Sequence, residues 1–154
     1  MPTPPAAVSR FLQYHRIAVS GVSRHGGVGK VVLEKLRGAG HEVVAINPHA
    51  AELAGTVCYP DVRSVPGPLE AVFFAAHPRV ARETVLQCAE RGVRTIWFHR
   101  SFGDGSVATD AVEECQRRGV EAIVGGCPMM YCAPVDFGHR FLCWWLRRRG
   151  RVPS

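Results

Sequence analysis

Five short apolar segments, each followed by a helix-like pattern, impose the strongest constraint on how this chain folds. The segments are residues 17–20, 42–46, 69–75, 95–98 and 120–124. Between the first two, Val28, Val32 and Leu36 follow helical spacing, and glycines mark the expected helix end. Because the segments are continuous apolar runs, we expect strands that are buried on both faces. The pattern predicts an α/β fold, a doubly wound and mainly parallel five-stranded sheet with flanking helices.

The length of 154 residues suits a single domain, with a core at about residues 6–130 and an aromatic and basic helix over residues 135–149. We expect residues 50–68, which are rich in proline and glycine, to form a loop, and Ser106 to cap a helix. The N-terminus lacks the basic and apolar regions of a signal peptide, which predicts a cytoplasmic protein with reduced cysteines. No two cysteines form C-x-x-C, and we expect no zinc site.

A glycine-rich turn follows the first predicted strand, with the sequence Gly-Val-Ser-Arg-His-Gly-Gly-Val-Gly-Lys over residues 21–30. A strand, a glycine-rich turn and a helix in succession are typical of phosphate sites in α/β proteins. Glycines let backbone N–H groups approach the anion, and the helix N-terminus adds unpaired donors and a partial positive charge. The turn therefore predicts a phosphate-binding site.

The carboxyl ends of parallel strands meet at one edge of the sheet, where ligands bind in such folds. Four further segments follow predicted strands and should meet the turn there: Asn47-Pro48, His77-Pro78, His99-Arg100 and Gly126-Cys127. The candidate ligand-binding residues are Gly21, Val22, Ser23, Arg24, His25, Gly26, Gly29, Lys30, Asn47, Pro48, His77, Pro78, His99 and Arg100.

Two common phosphate ligands fit this edge poorly. A Walker A loop requires Ser or Thr after Gly-Lys, and here Gly29-Lys30 precedes Val31. A dinucleotide fingerprint requires a second glycine where Ser23 stands, and NAD favours an acidic residue where the second strand ends in Asn47. NADP would need a basic residue instead, for which His49 is the candidate.

Several segments, in this order and spacing, resemble the small stand-alone CoA-binding proteins. They are Gly21-x-Ser23 with its glycine turn, Asn47-Pro48, residues 55–60 (Gly-Thr-Val-Cys-Tyr-Pro) and Gly126-Cys127-Pro128. That family has Rossmann-like domains similar to the CoA-binding domain of the succinyl-CoA synthetase α subunit. The resemblance covers residues 6–130 and implies coenzyme A as the ligand. It implies that the glycine-rich turn holds the phosphates and that Asn47-Pro48 borders the same end of the ligand. It also implies that His77-Pro78 and His99-Arg100 border adenine and ribose.

Three functions follow as hypotheses. The first is a protein that binds CoA or an acyl-CoA without catalysis. The second is a small NADP- or acyl-CoA-dependent enzyme in which His77 or His99 acts, although neither has an acidic partner nearby in sequence. The third is a regulatory or interaction protein whose basic tail at residues 147–151 contacts nucleic acid. Cys127, at the mouth of the last strand, either packs or faces the ligand thiol.

The predicted C-terminal helix carries an aromatic face. Phe137, Phe141, Trp144 and Trp145 follow helical spacing. An exposed aromatic patch of this size is unusual for a monomer, so we expect the helix to pack on its own domain or on a second copy in a homodimer.

Overall fold

The computed structural model describes residues 3–100 and 105–153, which form a seven-stranded sheet with helices on both faces. The elements in chain order are α1 (Ala6–Phe11), β1 (Arg16–Ser20), α2 (Val28–Gly38), β2 (Glu42–Ile46), β3 (Glu52–Leu53), β4 (Thr56–Tyr59), β5 (Ala71–Phe74), α3 (Ala81–Glu90), β6 (Thr95–Phe98), α4 (Thr109–Arg118), β7 (Glu121–Val124) and α5 (Phe137–Arg148). Short 3₁₀ helices at Pro78–Val80 and Pro128–Met130 follow β5 and β7.

The strand order is β3-β4-β2-β1-β5-β6-β7, and every pairing is parallel except that of β3 with β4. From the central strand β1 the chain moves first to one side, through β2 and β4, and then to the other, through β5, β6 and β7. The order therefore reverses between β1 and β5, and such a switch point opens a crevice at the carboxyl ends of the strands. The predicted α/β fold with a mainly parallel sheet is confirmed.

The sheet has two more strands than predicted, and both lie in the segment expected to be a loop. Ala54 and Gly55, with φ of +51° and +68°, form the two-residue turn of a hairpin that joins β3 to β4. Strand β4 then pairs with the last two residues of β2. Strands of two and four residues are too short for a periodic sequence pattern, so their formation depends on the edge that β2 provides.

Alternate strand residues contribute to two separate cores. Ile17 and Val19 face α1, α2 and α5, whereas Ala18 faces α3 and α4. The first core contains an edge-to-face cluster in which the Trp97 ring lies 5.1 Å from Phe11 and 5.9 Å from Phe73. Such pairs each add about 0.5–1.5 kcal/mol beyond the burial of their area. The cluster joins α1 to β5 and β6.

Helix α4 begins later than predicted. Ser106 was expected to be its cap, but the N-cap is Ala108, and Ser106 is buried while its backbone N–H donates to the carbonyl of His99. Within the described ranges, no helix has the length and apolar character needed to cross a bilayer.

Candidate functional site

The glycine-rich turn leaves β1 through Gly21, directly over the end of β5. Gly21 has a φ of +93°, and a Cβ atom there would lie 2.5 Å from the carbonyl carbon of Ala75. No other residue type fits both the left-handed conformation and this contact. The chain therefore crosses the switch point between β1 and β5 in close contact with backbone.

Beyond Gly21 the turn is held by short-range hydrogen bonds. The backbone N–H of His25 donates to Ser23 Oγ over 3.2 Å, and the N–H of Gly26 donates to the carbonyl of Ser23 over 3.4 Å. Gly26 and Gly27 have φ of +95° and +94°, and a Cβ atom at either would meet nothing within 4 Å. The outer side of the turn is therefore open.

Helix α2 starts directly after this open turn, with Gly27 as its N-cap. Among the described residues, no side chain caps the helix. The N–H groups of its first turn have no intrahelical carbonyl to pair with, and the helix dipole adds partial positive charge at the same point. Of the two basic residues in this segment, Arg24 is exposed and Lys30 is half-buried. This arrangement can accept an anionic group from solvent.

Asn47 ties the end of β2 to the turn. Its Nδ2 donates to the carbonyl of Val22 over 2.8 Å, and its Oδ1 accepts from the backbone N–H of His49 over 2.7 Å. Both ends of the side-chain amide are thus used within the protein. Asn47 shapes the turn, while Pro48 and the exposed His49 follow it at the edge.

His77 and Pro78 follow β5 and begin a 3₁₀ helix. The exposed His77 ring accepts the backbone N–H of Arg79 at Nδ1 over 3.2 Å, and Pro78 is the first helical residue. His77 therefore caps a helix at the ligand-facing edge.

His99 and Arg100 follow β6 and are partly buried. The His99 ring lies 6.1 Å from the Phe73 ring, and burial lowers the pKa of the imidazole. Arg100 pairs with Gly126 in an antiparallel bridge. Within the described ranges, His99 Nδ1 and Arg100 Nε are buried without a hydrogen-bond partner. Both atoms lie just beyond the carboxyl end of β6.

Cys127 packs in the core rather than opening onto the edge. The residue is 5% exposed, and burial raises the pKa of its thiol to about 11. The carbonyl oxygen of Arg151 lies against Gly125, two residues before Cys127. A Cβ atom on Gly125 would be only 2.3 Å from that oxygen. The C-terminal segment thus covers the end of β7, which agrees with a packing role for Cys127.

Hydrogen bonds join the ends of neighbouring strands at this edge, from Asn47 to Val22, from Ala75 to Ser20 and from His99 to Phe74. Sequence reasoning missed two backbone contacts that shape this edge. The backbone of Ala75 contacts the glycine-rich turn, and the backbone of Gly125 contacts the C-terminal segment. The adjacent glycines 125 and 126 were the available signal for the second contact. A cavity of about 660 Å³ lies elsewhere, beside α5.

Comparison with known proteins identifies the family to which this chain belongs. Residues 15–133 match the CoA binding domain family. The chain is 25% identical over 118 residues to an ADP-forming acetate–CoA ligase of Archaeoglobus fulgidus, a match that covers 72% of this chain and 17% of that protein. The chain therefore spans about one sixth of the length of this curated relative.

Solved structures show the same fold. A hypothetical protein from Pyrococcus horikoshii has a TM-score of 0.72 at 24% identity, over 82% of this chain and 92% of that one. An acetyl-coenzyme A synthetase of Ca. Korarchaeum cryptofilum has a TM-score of 0.65 at 25% identity, over 75% of this chain and 26% of that one. The chain therefore belongs to the CoA binding domain family and is homologous to the CoA-binding part of ADP-forming acetyl-CoA synthetases.

Proposed function

We propose that this protein binds coenzyme A or an acyl-CoA at the carboxyl edge of its sheet, and that it does so without catalysis. The observation that carries the proposal is the open turn at residues 21–29 leading into the uncapped α2, in a chain of the CoA binding domain family. The free N–H groups and the helix dipole suit the pyrophosphate of CoA.

The rest of the ligand would extend along the same edge. In this proposal Ser23, Arg24 and Lys30 border the phosphates, while His77, His99 and Arg100 border the adenosine. The unpartnered His99 Nδ1 and Arg100 Nε support that assignment, because a ligand would satisfy two buried polar atoms. Asn47 would hold the turn in shape from within. We also place the protein in the cytoplasm, where CoA would be available to it.

Calorimetric titration with CoA, acetyl-CoA and NADP tests the proposal. CoA should bind, and NADP should not. In thermal unfolding, CoA at a concentration of about a hundred times its Kd should raise the free energy of unfolding by about 2.7 kcal/mol. For a chain of this size that gain corresponds to an increase of roughly 5–11 °C in Tm.

A matched pair of variants tests the location. Asp and Asn at position 23 can both accept the His25 N–H through a side-chain oxygen, so the two substitutions differ in charge alone. Ser23→Asp should weaken CoA binding at least about tenfold, a cost of about 1.4 kcal/mol. Ser23→Asn should bind nearly as the wild type does. Equal affinity in the two variants would place the ligand elsewhere.

The absence of catalysis is tested separately. Acetyl-CoA is incubated with the protein, and free thiol is measured with a chromogenic disulfide. No thiol should be released above the rate in buffer. Thiol release that His99→Gln or His77→Gln abolishes would favour the enzyme hypothesis instead.

A further inference from the structure

Helix α5 presents an aromatic surface that the proposed CoA site does not use. Cys143 and Leu146 are buried against the domain. Phe137, Phe141 and Trp144 are instead 82%, 57% and 51% exposed. These three residues lie at i, i+4 and i+7, so they share the side of the helix that faces away from the domain. We call them the α5 face. Contiguous exposed aromatic surface of this kind marks an interaction site for a protein or a membrane.

Arginines border the α5 face on both flanks. At about 100° of rotation per residue, Arg140 and Arg147 lie on one flank and Arg149, which ends the helix, lies on the other. All three are exposed. Arg148 lies in line with the face itself, where its guanidinium is 4.5 Å from the centre of the Trp144 ring. The exposed rings are therefore surrounded by positive charge along the helix.

Little negative charge compensates these arginines. Residues 136–151 contain five arginines and one acidic residue, Asp136, which gives a net charge of +4. Both carboxylate oxygens of Asp136 are held by His139, through its backbone N–H over 3.0 Å and its ring Nδ1 over 2.6 Å. Among the residues that the structure describes, no carboxylate forms an ion pair with any of the five arginines. The surface therefore attracts an anionic partner and repels a copy of itself.

An apolar groove follows the flank that carries Arg140 and Arg147. The groove has a volume of about 660 Å³, and both arginines line it together with all three residues of the α5 face. Its other wall includes Met130 and Tyr131, and no acidic residue from the described ranges lines it. Protruding rings, an apolar groove and unpaired guanidinium groups thus occur on one surface. The matching partner has to combine apolar and anionic groups.

We propose that the α5 face docks on an anionic membrane surface, with α5 lying in the plane of the interface. The three rings enter the boundary between headgroups and acyl chains, and the flanking arginines contact lipid phosphates. Because the opposite side of α5 packs on the domain, the helix reaches the bilayer without leaving its place in the fold.

The shape of this surface favours lipid over the other anionic partners. A protein partner needs a preformed surface that matches both the protruding rings and the groove, whereas fluid lipids adapt to both. Nucleic acid supplies phosphates, but its backbone offers no hydrocarbon layer for the rings. A membrane supplies both, with phosphates at the level of the arginines and acyl chains at the level of the rings.

Co-sedimentation of the full chain with lipid vesicles tests the proposal. The wild type should bind vesicles of phosphatidylcholine mixed with phosphatidylglycerol. Vesicles of phosphatidylcholine alone should bind at least about tenfold more weakly, since they lack the negative surface potential. Added salt should weaken binding to the anionic vesicles, because it screens exposed charges.

A matched pair of variants tests the contact of the rings. Phe137→Ser should lower the affinity for the anionic vesicles at least about tenfold, because a ring that the lipid buries is lost. Phe137 is 82% exposed, so circular dichroism of the variant should be unchanged. Val57→Ser is the control, because Val57 is 54% exposed on β4, near the opposite edge of the sheet from β7. Its affinity should equal that of the wild type.

A second pair tests the contact of the arginines. Arg140→Gln should lower the affinity about fivefold, the effect expected of one basic residue at an anionic surface. Arg94→Gln removes the same charge at an exposed position before β6 and should change the affinity less than about twofold. Equal losses in the two variants would show that the protein adsorbs through its overall charge of +6, which would overturn the proposed contact.

Four further outcomes would overturn the proposal. The first is a wild type that stays in the supernatant with anionic vesicles at low salt. The second is equal affinity of Phe137→Ser and Val57→Ser. The third is a dimer in sedimentation velocity that Phe137→Ser dissociates, which would assign the α5 face to a second copy. The fourth is tighter binding to a single-stranded oligonucleotide than to anionic vesicles, lost in Phe137→Ser, which would assign the face to nucleic acid.

Discussion

Gly29, in the first turn of α2, lies so close to Gly21 that a Cβ atom on Gly29 would come within 2.4 Å of the Gly21 carbonyl oxygen. The atom that it would meet belongs to the backbone and cannot rotate away. This contact brings the start of α2 against the end of β1. It therefore sets the position of the N–H groups that we assign to the ligand phosphates.

Gly29→Ala should destabilise the protein by roughly 1–3 kcal/mol, because the added methyl forces the turn and the helix apart. Gly38→Ala is the matched control in the same helix, since a Cβ atom there meets nothing within 4 Å. The free energy of unfolding of the control should rise by roughly 0.5–1 kcal/mol, because alanine lowers the entropy of the unfolded chain. Urea unfolding measures both, and equal stability of Gly29→Ala and the wild type would contradict the contact.

Asn47→Ala should lower the free energy of unfolding by about 1–2 kcal/mol, because the carbonyl of Val22 and the N–H of His49 both lose a partner. Ser64→Ala is the control, because it removes a side-chain hydrogen bond, to Asp61, in an exposed turn. Its effect should stay within about 0.5 kcal/mol. CoA affinity should fall only in the Asn47 variant, and a loss of stability no larger than that of the control would count against the bridging role.

The burial of His99 makes stability depend on pH. Because the pKa of the folded imidazole is lowered, the unfolded chain takes up a proton that the folded chain resists. Stability is therefore lost as the pH falls through the ordinary histidine pKa of about 6.5. The wild type should lose more stability than His99→Gln between about pH 7.5 and pH 5.5. NMR titration of the imidazole gives its pKa directly, and a midpoint at or above the ordinary value would refute the prediction.

Cys127 should resist alkylation in the native protein. Its thiol is buried and has a pKa of about 11, so at neutral pH it forms on the order of a hundredfold less thiolate than a free cysteine. Iodoacetamide labelling followed by peptide mapping should modify Cys127 only after unfolding, with or without CoA. Rapid native labelling that CoA suppresses would show instead that the thiol faces the ligand.

The order of the main helices and strands was predictable because it depends on local patterns. Apolar runs and helical spacing placed β2 at residues 42–46 and β6 at residues 95–98, as the structure has them. The hairpin of β3 and β4 was not predictable, because its pairing depends on the exposed edge of β2. The start of α4 was placed too early for a similar reason, since Ser106 is held by the backbone of His99.

The candidate site divides in the same way. The glycines of the turn and the residues after each strand were identified from sequence, and their common edge follows from parallel pairing. The sequence pattern placed Asn47 and Cys127 at that edge, but it did not predict which way their side chains point. Asn47 turns inward to Val22, and Cys127 packs in the core.

The sequence by itself determined an α/β chain with a glycine-rich turn after its first strand, because backbone conformation and hydrophobic periodicity are local properties. Only the tertiary structure decided which polar atoms are satisfied, how strongly His99 is buried and which side of α5 is left uncovered. Each of these depends on neighbours that are distant in sequence. An amphipathic pattern does not reveal whether another element covers the apolar face of the helix. The aromatic side of α5 faces solvent because Cys143 and Leu146 occupy the side that packs on the domain.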